Sequence, residues 1–192
     1  MESTDFLAKY LEKDPTLSQR EIGVICQHFC EEHLKREEAV VKEGTQYKKL
    51  LFVVEGILRV FIIDSNGEEV VKNFIEPNGF FAEFESFDRN AISRINVSAV
   101  TDCLVLSITK TACEHLIQLV PQWGFMMKTG GLEAMSAMLR KKEFLLLGDS
   151  TDHYRYFLEN YPHLVQQVPL KYIASFLRIT QSSLSRIRRQ IE

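Results

Sequence analysis

The feature that most constrains the fold of this chain is a change in hydrophobic period near residue 30. Before that point, Phe6, Leu7, Tyr10 and Leu11 recur with the spacing of an amphipathic helix. Residues 18–21, Ser-Gln-Arg-Glu, form a capping box, which predicts the start of a second helix. From about residue 30 the apolar side chains recur with a period near two, which is typical of strands. Two N-terminal helices are therefore predicted to lead into a β segment.

The β segment is predicted to form an antiparallel sandwich or roll. Asn66-Gly67 lies between two apolar runs and favours a type I′ hairpin turn, because both central residues of that turn need positive φ. Gly44, Gly56 and the Pro-Asn-Gly segment at 77–79 mark further turns. Short strands at such close spacing are typical of all-β rolls. The predicted strands span residues 38–42, 49–54, 57–63, 69–75, 92–100 and 104–108.

A long helix is predicted after the β segment. Thr109 caps a short helix over 110–119, and Pro121 opens a helix that runs to about residue 147, a length of about 40 Å. Its apolar stripe exceeds what one domain would cover, so we predict a dimerisation helix over 121–147, the alternative being a helix packed wholly on its own domain. Gly130-Gly131 marks a candidate kink. The stripe consists of Met135, Met138, Leu139, Leu145 and Leu146.

The segment 169–191 predicts two short helices joined by a tight turn. The outer side of the second helix is polar, donor-rich and basic, the pattern of a helix-turn-helix whose second helix enters a DNA major groove. Arginine, glutamine and serine can meet base edges and phosphates there. The inward-facing apolar residues are Ile173, Ala174, Leu177, Ile179, Leu184 and Ile187.

Together these patterns predict an α+β protein with two domains. Residues 1–148 would form an antiparallel β-roll with flanking helices and the long helix. Gly148 ends that helix, and Asp149 offers a cap for the next one, so residues 149–192 would form a small all-α helix-turn-helix domain. The sequence ends at Glu192 without a clear wing after the second helix.

The charge distribution supports a nucleic-acid partner for the C-terminal part. The chain carries a net charge of −3. Residues 149–192 hold six basic and four acidic residues, a net of +2, which leaves −5 for residues 1–148. A local basic surface is sufficient for DNA binding, because binding depends on the local field.

Four cysteines, unevenly spaced, indicate reduced thiols and a cytoplasmic location, and no apolar run is long enough to span a bilayer. Cys26, His28, Cys30 and His33 raise the question of a metal, but they lack a Cys-x-x-Cys knuckle. Cys26, Cys30 and His33 would share one face of a helix, so we predict core packing and no metal site. No nucleophile elbow, P-loop or paired-carboxylate motif is present, so an enzyme is not predicted.

The order of elements, with the sequence IASFLRITQSSLSRIRR at 173–189, resembles the Crp–Fnr family of bacterial transcription regulators. The resemblance implies that Gln181, Ser182 and Arg186 contact base edges. Ser182 replaces a frequent glutamate, so the recognised DNA sequence should differ, and Arg178 replaces the usual glycine of the turn. The full set of DNA-binding residues implied is Lys171, Arg178, Thr180, Gln181, Ser182, Ser183, Ser185, Arg186, Arg188 and Arg189.

The same resemblance implies a phosphate-binding cassette for a cyclic nucleotide in the roll, here in a degenerate form. Glu83 is kept, Ala82 replaces a glycine, and Ser93 occupies the position of the phosphate-binding arginine. Arg94 follows one residue later, which on a strand is the opposite face. The candidate pocket residues are Phe81, Ala82, Glu83, Ser93 and Arg94.

We therefore predict a homodimeric, sequence-specific transcription regulator that binds a palindromic double-stranded operator and RNA polymerase, controlled by an effector in the roll. The identity and the existence of the effector remain open: it could be cyclic AMP, another cyclic nucleotide or a different small molecule, or there could be no ligand. The alternative is a ligand sensor that signals through protein partners in place of DNA.

Overall fold

The computed structural model describes residues 2–191 and confirms the α+β class, with a β-roll, a long helix and a small helical unit. The helices are α1 (Ser3–Leu11), α2 (Gln19–Gln27), α3 (Phe84–Phe87), α4 (Lys110–Leu119), α5 (Pro121–Leu147), α6 (Ser150–Asn160), α7 (Leu164–Gln167), α8 (Leu170–Phe176) and α9 (Gln181–Ile191). The strands are β1 (Cys30–Leu34), β2 (Ala39–Val41), β3 (Lys49–Glu55), β4 (Leu58–Ile63), β5 (Glu69–Ile75), β6 (Phe80–Ala82), β7 (Asn96–Ala99) and β8 (Cys103–Thr109).

Two antiparallel four-stranded sheets stack to form the roll. The first has the order β1-β8-β3-β6 and the second the order β2-β7-β4-β5. Their facing sides share a core that includes Leu51, Val53, Leu58 and Val97. Since helices cover the outer faces of both sheets, the run 50–54 in β3 is buried on both sides and is continuously apolar.

The outer faces of the two sheets are covered by different helices. The α1, α2 and α4 helices and the start of α5 cover the first sheet, with Trp123 fully buried among them. The C-terminal helices α6–α9 cover the second sheet, and Phe61 and Phe74 of that sheet join one apolar cluster with Phe157 and Phe176. The helix-turn-helix unit is therefore packed directly on strands β4 and β5.

The predicted helix boundaries depend on local capping, and the structure reproduces them. Ser18 and Glu21 form the capping box of α2, Thr109 caps α4, and Asp149 caps α6. The α5 helix runs unbroken over Pro121–Leu147, through Gly130 and Gly131. Because each cap acts within one turn of helix, the sequence alone is sufficient to locate it.

Several predictions that depend on strand pairing were wrong. Strands β1 and β6 were missed, and the strand predicted over 92–100 is confined to Asn96–Ala99. Cys30 and His33 lie on β1 and not on a helix, and Cys30 is exposed, so its predicted core packing is wrong. The polar sequence of β1 follows from its position at the edge of the first sheet, next to β8.

The hairpin between β4 and β5 was predicted correctly, but its turn type was not. Gly67 has φ of 81°, whereas Asn66 does not have positive φ. The Gly67 N–H donates to the Asp64 carbonyl at 3.1 Å, and the Asp64 carboxylate accepts from the backbone N–H groups of Asn66 and Glu68. An aspartate at the first position stabilises a turn in which only Gly67 needs the left-handed region.

Candidate nucleic-acid interface and effector pocket

The α8 and α9 helices form a compact pair with one buried and one exposed side. Ile173, Ala174 and Leu177 are buried below the pair, and Leu184 and Ile187 of α9 face the same core. Thr180 caps α9, since its hydroxyl accepts from the Ser183 N–H at 3.1 Å. The inward positions predicted for these apolar residues are confirmed.

The turn between the helices is formed around Arg178, which has φ of 60°. This left-handed conformation costs a non-glycine residue about 1 kcal/mol. The Arg178 N–H donates to the Ser175 carbonyl, and the Ile179 N–H donates to the Ala174 carbonyl at 3.1 Å. These hydrogen bonds hold the turn, and the Arg178 side chain is exposed beside the start of α9.

The outer side of α9 is polar along its full length. Ser182 and Arg186 are exposed and lie on the side opposite Leu184 and Ile187, and Gln181 is exposed at the first position of the helix. Of the remaining predicted DNA-binding residues, Lys171, Thr180 and Arg189 are exposed, and Ser183, Ser185 and Arg188 are half-buried. The roles of all these residues in DNA binding stay predictions.

Hydrogen bonds attach α8 to the β4–β5 hairpin. The Ser175 hydroxyl donates to the Glu69 carbonyl and accepts from the Val71 N–H, both at 2.9 Å. Burial raises the pKa of Tyr172, so its phenol stays protonated and donates to the Glu37 carboxylate at 3.1 Å. These contacts set the orientation of the helix-turn-helix relative to the roll.

Arg59 is the charged centre of this attachment, and the sequence reasoning missed it. The side chain of this β4 residue is only 4% exposed and lies between the rings of Phe61 and Tyr172, at 4.1 and 4.0 Å from their centroids. Its guanidinium pairs with Glu69 and, at 3.5 Å, with Glu37. An arginine inside the apolar run ILRVFII was the available signal, because a buried charge needs a partner that the strand itself does not provide.

Lys141, on the inner side of α5, is a second side chain of basic type that is withdrawn from water. It was also missed in the sequence. Its Nζ donates to the Lys72 carbonyl at 2.7 Å and lies 3.2 Å from the centroid of the Phe176 ring. Burial, followed by the charges of Lys72 and Arg178, lowers the pKa of Lys141 to about 7. Lys141 therefore joins the long helix, the roll and the helix-turn-helix at one point.

Stability should rise with pH because of Lys141. Its pKa is about 7 in the fold, against an ordinary value of 10.5, so between these values the unfolded chain holds a proton that the folded chain lacks. The free energy of unfolding then increases with pH, by up to about 1.4 kcal/mol per pH unit. Urea denaturation between pH 7 and 9 should show a smaller slope for Lys141→Met than for the wild type. Lys142→Met, on the exposed side, is the control, and equal slopes for wild type and Lys141→Met would contradict the assignment.

In the candidate effector pocket, Glu83 is buried and acts within its own loop. Its carboxylate accepts from the Ser86 N–H at 2.6 Å and so caps the short α3 helix. The Ser86 hydroxyl in turn accepts from the Tyr47 N–H at 2.6 Å. Phe81 is buried between the sheets, and Ala82 pairs with Leu50. The Glu83 carboxylate thus already has a partner in this structure.

Ser93 and Arg94 lie in the loop before β7. The prediction that the pleat of a strand sets the direction of Arg94 was therefore wrong. The Ser93 hydroxyl donates to the Ile95 carbonyl at 3.0 Å and accepts from the Ile95 N–H. Arg94 is 84% exposed, with its Nε 3.6 Å from the Glu85 carboxylate. The ligand-binding role of both residues stays a prediction.

The α5 helix exposes a row of large apolar side chains. Only Trp123, in its first turn, is buried, and residues 131–140 are exposed throughout. Leu145, predicted as part of the stripe, is half-buried. The exposed members are Phe125, Leu132, Met135, Met138, Leu139, Leu146 and Leu147. Four of them, at 125, 132, 139 and 146, recur at intervals of seven, the repeat of a coiled-coil seam.

The histidines and cysteines do not form a metal site in the part of the chain that the structure describes. Within residues 2–191, no group of three or more His, Cys, Asp or Glu side chains is arranged to hold a metal ion. His33 bonds to the Glu31 carboxylate at 2.8 Å, and burial raises the pKa of the Cys26 thiol. Over the same residues, no helix is both long enough and apolar enough to cross a membrane.

Sequence comparisons identify similar proteins for the roll. Residues 31–119 match a family model described as a cyclic nucleotide-binding domain. The cAMP-activated global transcriptional regulator CRP of Salmonella typhimurium is 26% identical over 85 residues, which are 44% of this chain and 40% of that protein. CRP of Klebsiella aerogenes matches to the same extent. The matched region thus spans about 40% of the length of these relatives.

Structural comparisons extend the similarity to most of the chain. FixK2 from Bradyrhizobium japonicum has a TM-score of 0.76 at 16% identity, covering 85% of this chain and 84% of that one. The c-di-GMP responsive global regulator CLP from Xanthomonas campestris has a TM-score of 0.70 at 17% identity, covering 91% of each chain. At these identities the two structures establish a shared fold over most of the chain.

Proposed function

We infer that the chain belongs to the Crp–Fnr family of regulators, a non-enzymatic family, and carries a cyclic-nucleotide-binding-type domain. From this premise we propose that it is a sequence-specific DNA-binding transcription regulator that works in the cytoplasm. Residues 1–148 would receive the effector and form the dimer, and residues 149–192 would bind DNA and act on RNA polymerase.

One observation carries this proposal: the outer side of α9 is an exposed row of donors on a helix whose apolar side is buried. Gln181 can pair with adenine N6 and N7, and Arg186 with guanine O6 and N7, each through two hydrogen bonds. Ser183 and Ser185 lie at the edges of that row, where phosphates would be. Because Ser182 cannot accept from cytosine as a carboxylate does, the operator should differ from that of family members with glutamate there.

The α5 helix would join two copies of the protein. Its exposed row of apolar residues at intervals of seven supports a parallel pair of helices with a shared seam. A two-fold dimer presents two α9 helices to a palindromic operator, with half-sites about 34 Å apart. An effector in the roll would act by favouring one arrangement of the two α5 helices. An effector that binds without changing DNA affinity would exclude this coupling.

The proposal is tested by selection from a pool of random 30-bp duplexes. The wild-type protein should enrich one palindromic sequence, and its affinity for that duplex should fall steeply between 50 and 200 mM salt, by at least about 10³-fold for six or more phosphate contacts. Failure to enrich any sequence, or an affinity that does not depend on salt, would contradict DNA binding and favour signalling through a protein partner.

We propose that the effector is not a standard cyclic nucleotide. Ser93 stands at the position of the phosphate-binding arginine, and Arg94 is exposed and pairs with Glu85, so no arginine is in place to bind a phosphate with two hydrogen bonds. Calorimetric titration with cyclic AMP or cyclic GMP should therefore give no micromolar binding. If either nucleotide binds, Arg94→Ala will show whether Arg94 is responsible. A thermal-shift screen of other ligands should then identify the effector, because a true effector stabilises the fold by mass action.

A further inference from the structure

We propose that the DNA-binding surface extends beyond the helix-turn-helix onto the roll and the long helix, through a cationic patch that binds the sugar-phosphate backbone. The patch consists of Lys72, Lys141, Lys142 and Arg178. This inference rests on the proposed DNA-binding function and assigns a part of the DNA contact to residues outside residues 149–192.

The patch is assembled from three distant segments of the chain. Lys72 lies on β5, Lys142 on α5 and Arg178 in the turn before α9, and all three are exposed. Lys141 lies below them, with its Nζ 2.7 Å from the Lys72 carbonyl and against the Phe176 ring. Because Phe176 precedes Arg178 by two residues, this contact holds the turn, the strand and the helix together.

The three exposed cations, Lys72, Lys142 and Arg178, repel one another, and Lys141 below them is only partly protonated near neutral pH. Among residues 2–191, none of them has a carboxylate within ion-pair distance. Burial and the charges of Arg178 and Lys142 lower the pKa of Lys72, and burial and the charges of Lys72 and Arg178 lower the pKa of Lys141. An anion bound at the patch would reduce this repulsion.

The position of the patch favours the backbone of DNA as that anion. Arg178 precedes Gln181, the first residue of α9, by three residues, so the patch adjoins the end of α9 that would enter the major groove. A helix in the groove has a phosphate strand along each side, and cations beside its N-terminus are positioned to meet one of them. Lys72 and Lys142 would then add contacts that set the register of the helix without reading bases.

The test uses Lys72→Gln, because Lys72 lies outside the helix-turn-helix and its side chain is exposed. Binding is measured between 50 and 200 mM salt with a 30-bp duplex enriched by the wild-type protein and with a scrambled duplex. The log of the association constant decreases linearly with the log of the salt concentration. For a dimer with two patches, Lys72→Gln should make this slope less negative by about 2. The affinity lost between 50 and 200 mM salt should then be about tenfold smaller for the variant than for the wild type. The preference for the enriched over the scrambled duplex should not change.

Lys48→Gln is the matched control, because it removes the same charge from an exposed residue. Lys48 lies beside the first sheet, whereas the C-terminal helices cover the second sheet. Arg178→Gly provides a second variant: it relieves the positive φ and should raise the melting temperature while lowering DNA affinity. A slope for Lys72→Gln equal to that of Lys48→Gln would overturn the proposal, as would Lys72-dependent binding of inorganic pyrophosphate with an unchanged DNA slope. If the wild-type protein itself shows no salt-dependent DNA binding, the result contradicts the proposed DNA-binding function as a whole. A failure of the patch proposal alone would leave the wild-type binding intact.

Discussion

Replacing Leu132 and Leu139 with glutamate should convert the protein to a monomer and lower its affinity for a two-half-site operator by about 100-fold or more. Leu132 is 56% exposed and Leu139 57% exposed in the single chain, and both belong to the row spaced by seven. Burying four glutamates at a shared seam would leave unpaired charges out of water, which a helix pair cannot tolerate. Each α9 helix would then bind its half-site alone, without the added affinity that two linked α9 helices gain by binding both half-sites at once.

The oligomeric state is measured by analytical ultracentrifugation, and the affinity by fluorescence anisotropy with a full operator and with a half-site. The double variant should bind both DNAs with similar, weak affinity. The matched control is Ala134→Glu with Ala137→Glu, which adds the same two charges at exposed positions outside the row. A dimeric Leu132→Glu, Leu139→Glu variant with unchanged affinity would show that α5 is not the dimer seam.

Replacing Arg186 with alanine should abolish the preference for one base pair in each half-site, at a cost of about 1–3 kcal/mol at that position. Arg186 is exposed on the outer side of α9, one turn beyond Ser182 and opposite the buried Leu184 and Ile187. From there its planar guanidinium can reach guanine through two parallel hydrogen bonds. Its immediate neighbours in the middle of α9, Ser185 and Ile187, do not offer this geometry.

The variant is tested by measuring affinity for the enriched operator and for each of its single base-pair substitutions. Arg186→Lys is the informative control, because lysine keeps the charge and loses the bidentate geometry. It should retain the salt dependence of the wild type and still lose the base preference. If both variants keep the wild-type preference at every position, Arg186 contacts only phosphate and base reading depends on other residues.

Local interactions made several features predictable from the sequence. The capping box at 18–21, the start of α5 at Pro121 and the buried Leu184 and Ile187 of α9 all depend on residues within one or two helical turns. The positive φ of Arg178 agrees with the resemblance, which places Arg178 at the usual glycine of the turn. The helix-turn-helix could therefore be predicted from residues 169–191 alone.

Strand pairing limited the prediction elsewhere. Cys30 and His33 were assigned to a helix because their spacing fits one, whereas pairing with Ser107 and Leu104 of β8 makes them part of an edge strand. The direction of Arg94 was argued from the pleat of a strand that begins only at Asn96. The strand that pairs with Cys30 and His33 lies more than 40 residues away in the chain, and Arg94 lies in a loop. Local periodicity contains no information about either.

The sequence by itself determined the longer helices, the caps at Ser18, Thr109 and Asp149, the long apolar stripe and the basic outer face of α9, whereas the short α3 and α7 helices were not predicted. Only the tertiary structure decided how the helix-turn-helix is attached: Arg59 lies between Phe61 and Tyr172, and Lys141 lies beneath Lys72 and Arg178. A cation withdrawn from water is stable only where several elements together supply its hydrogen bonds, rings or carboxylates. Those elements are far apart in the chain, so their convergence is a property of the packed fold and not of any segment.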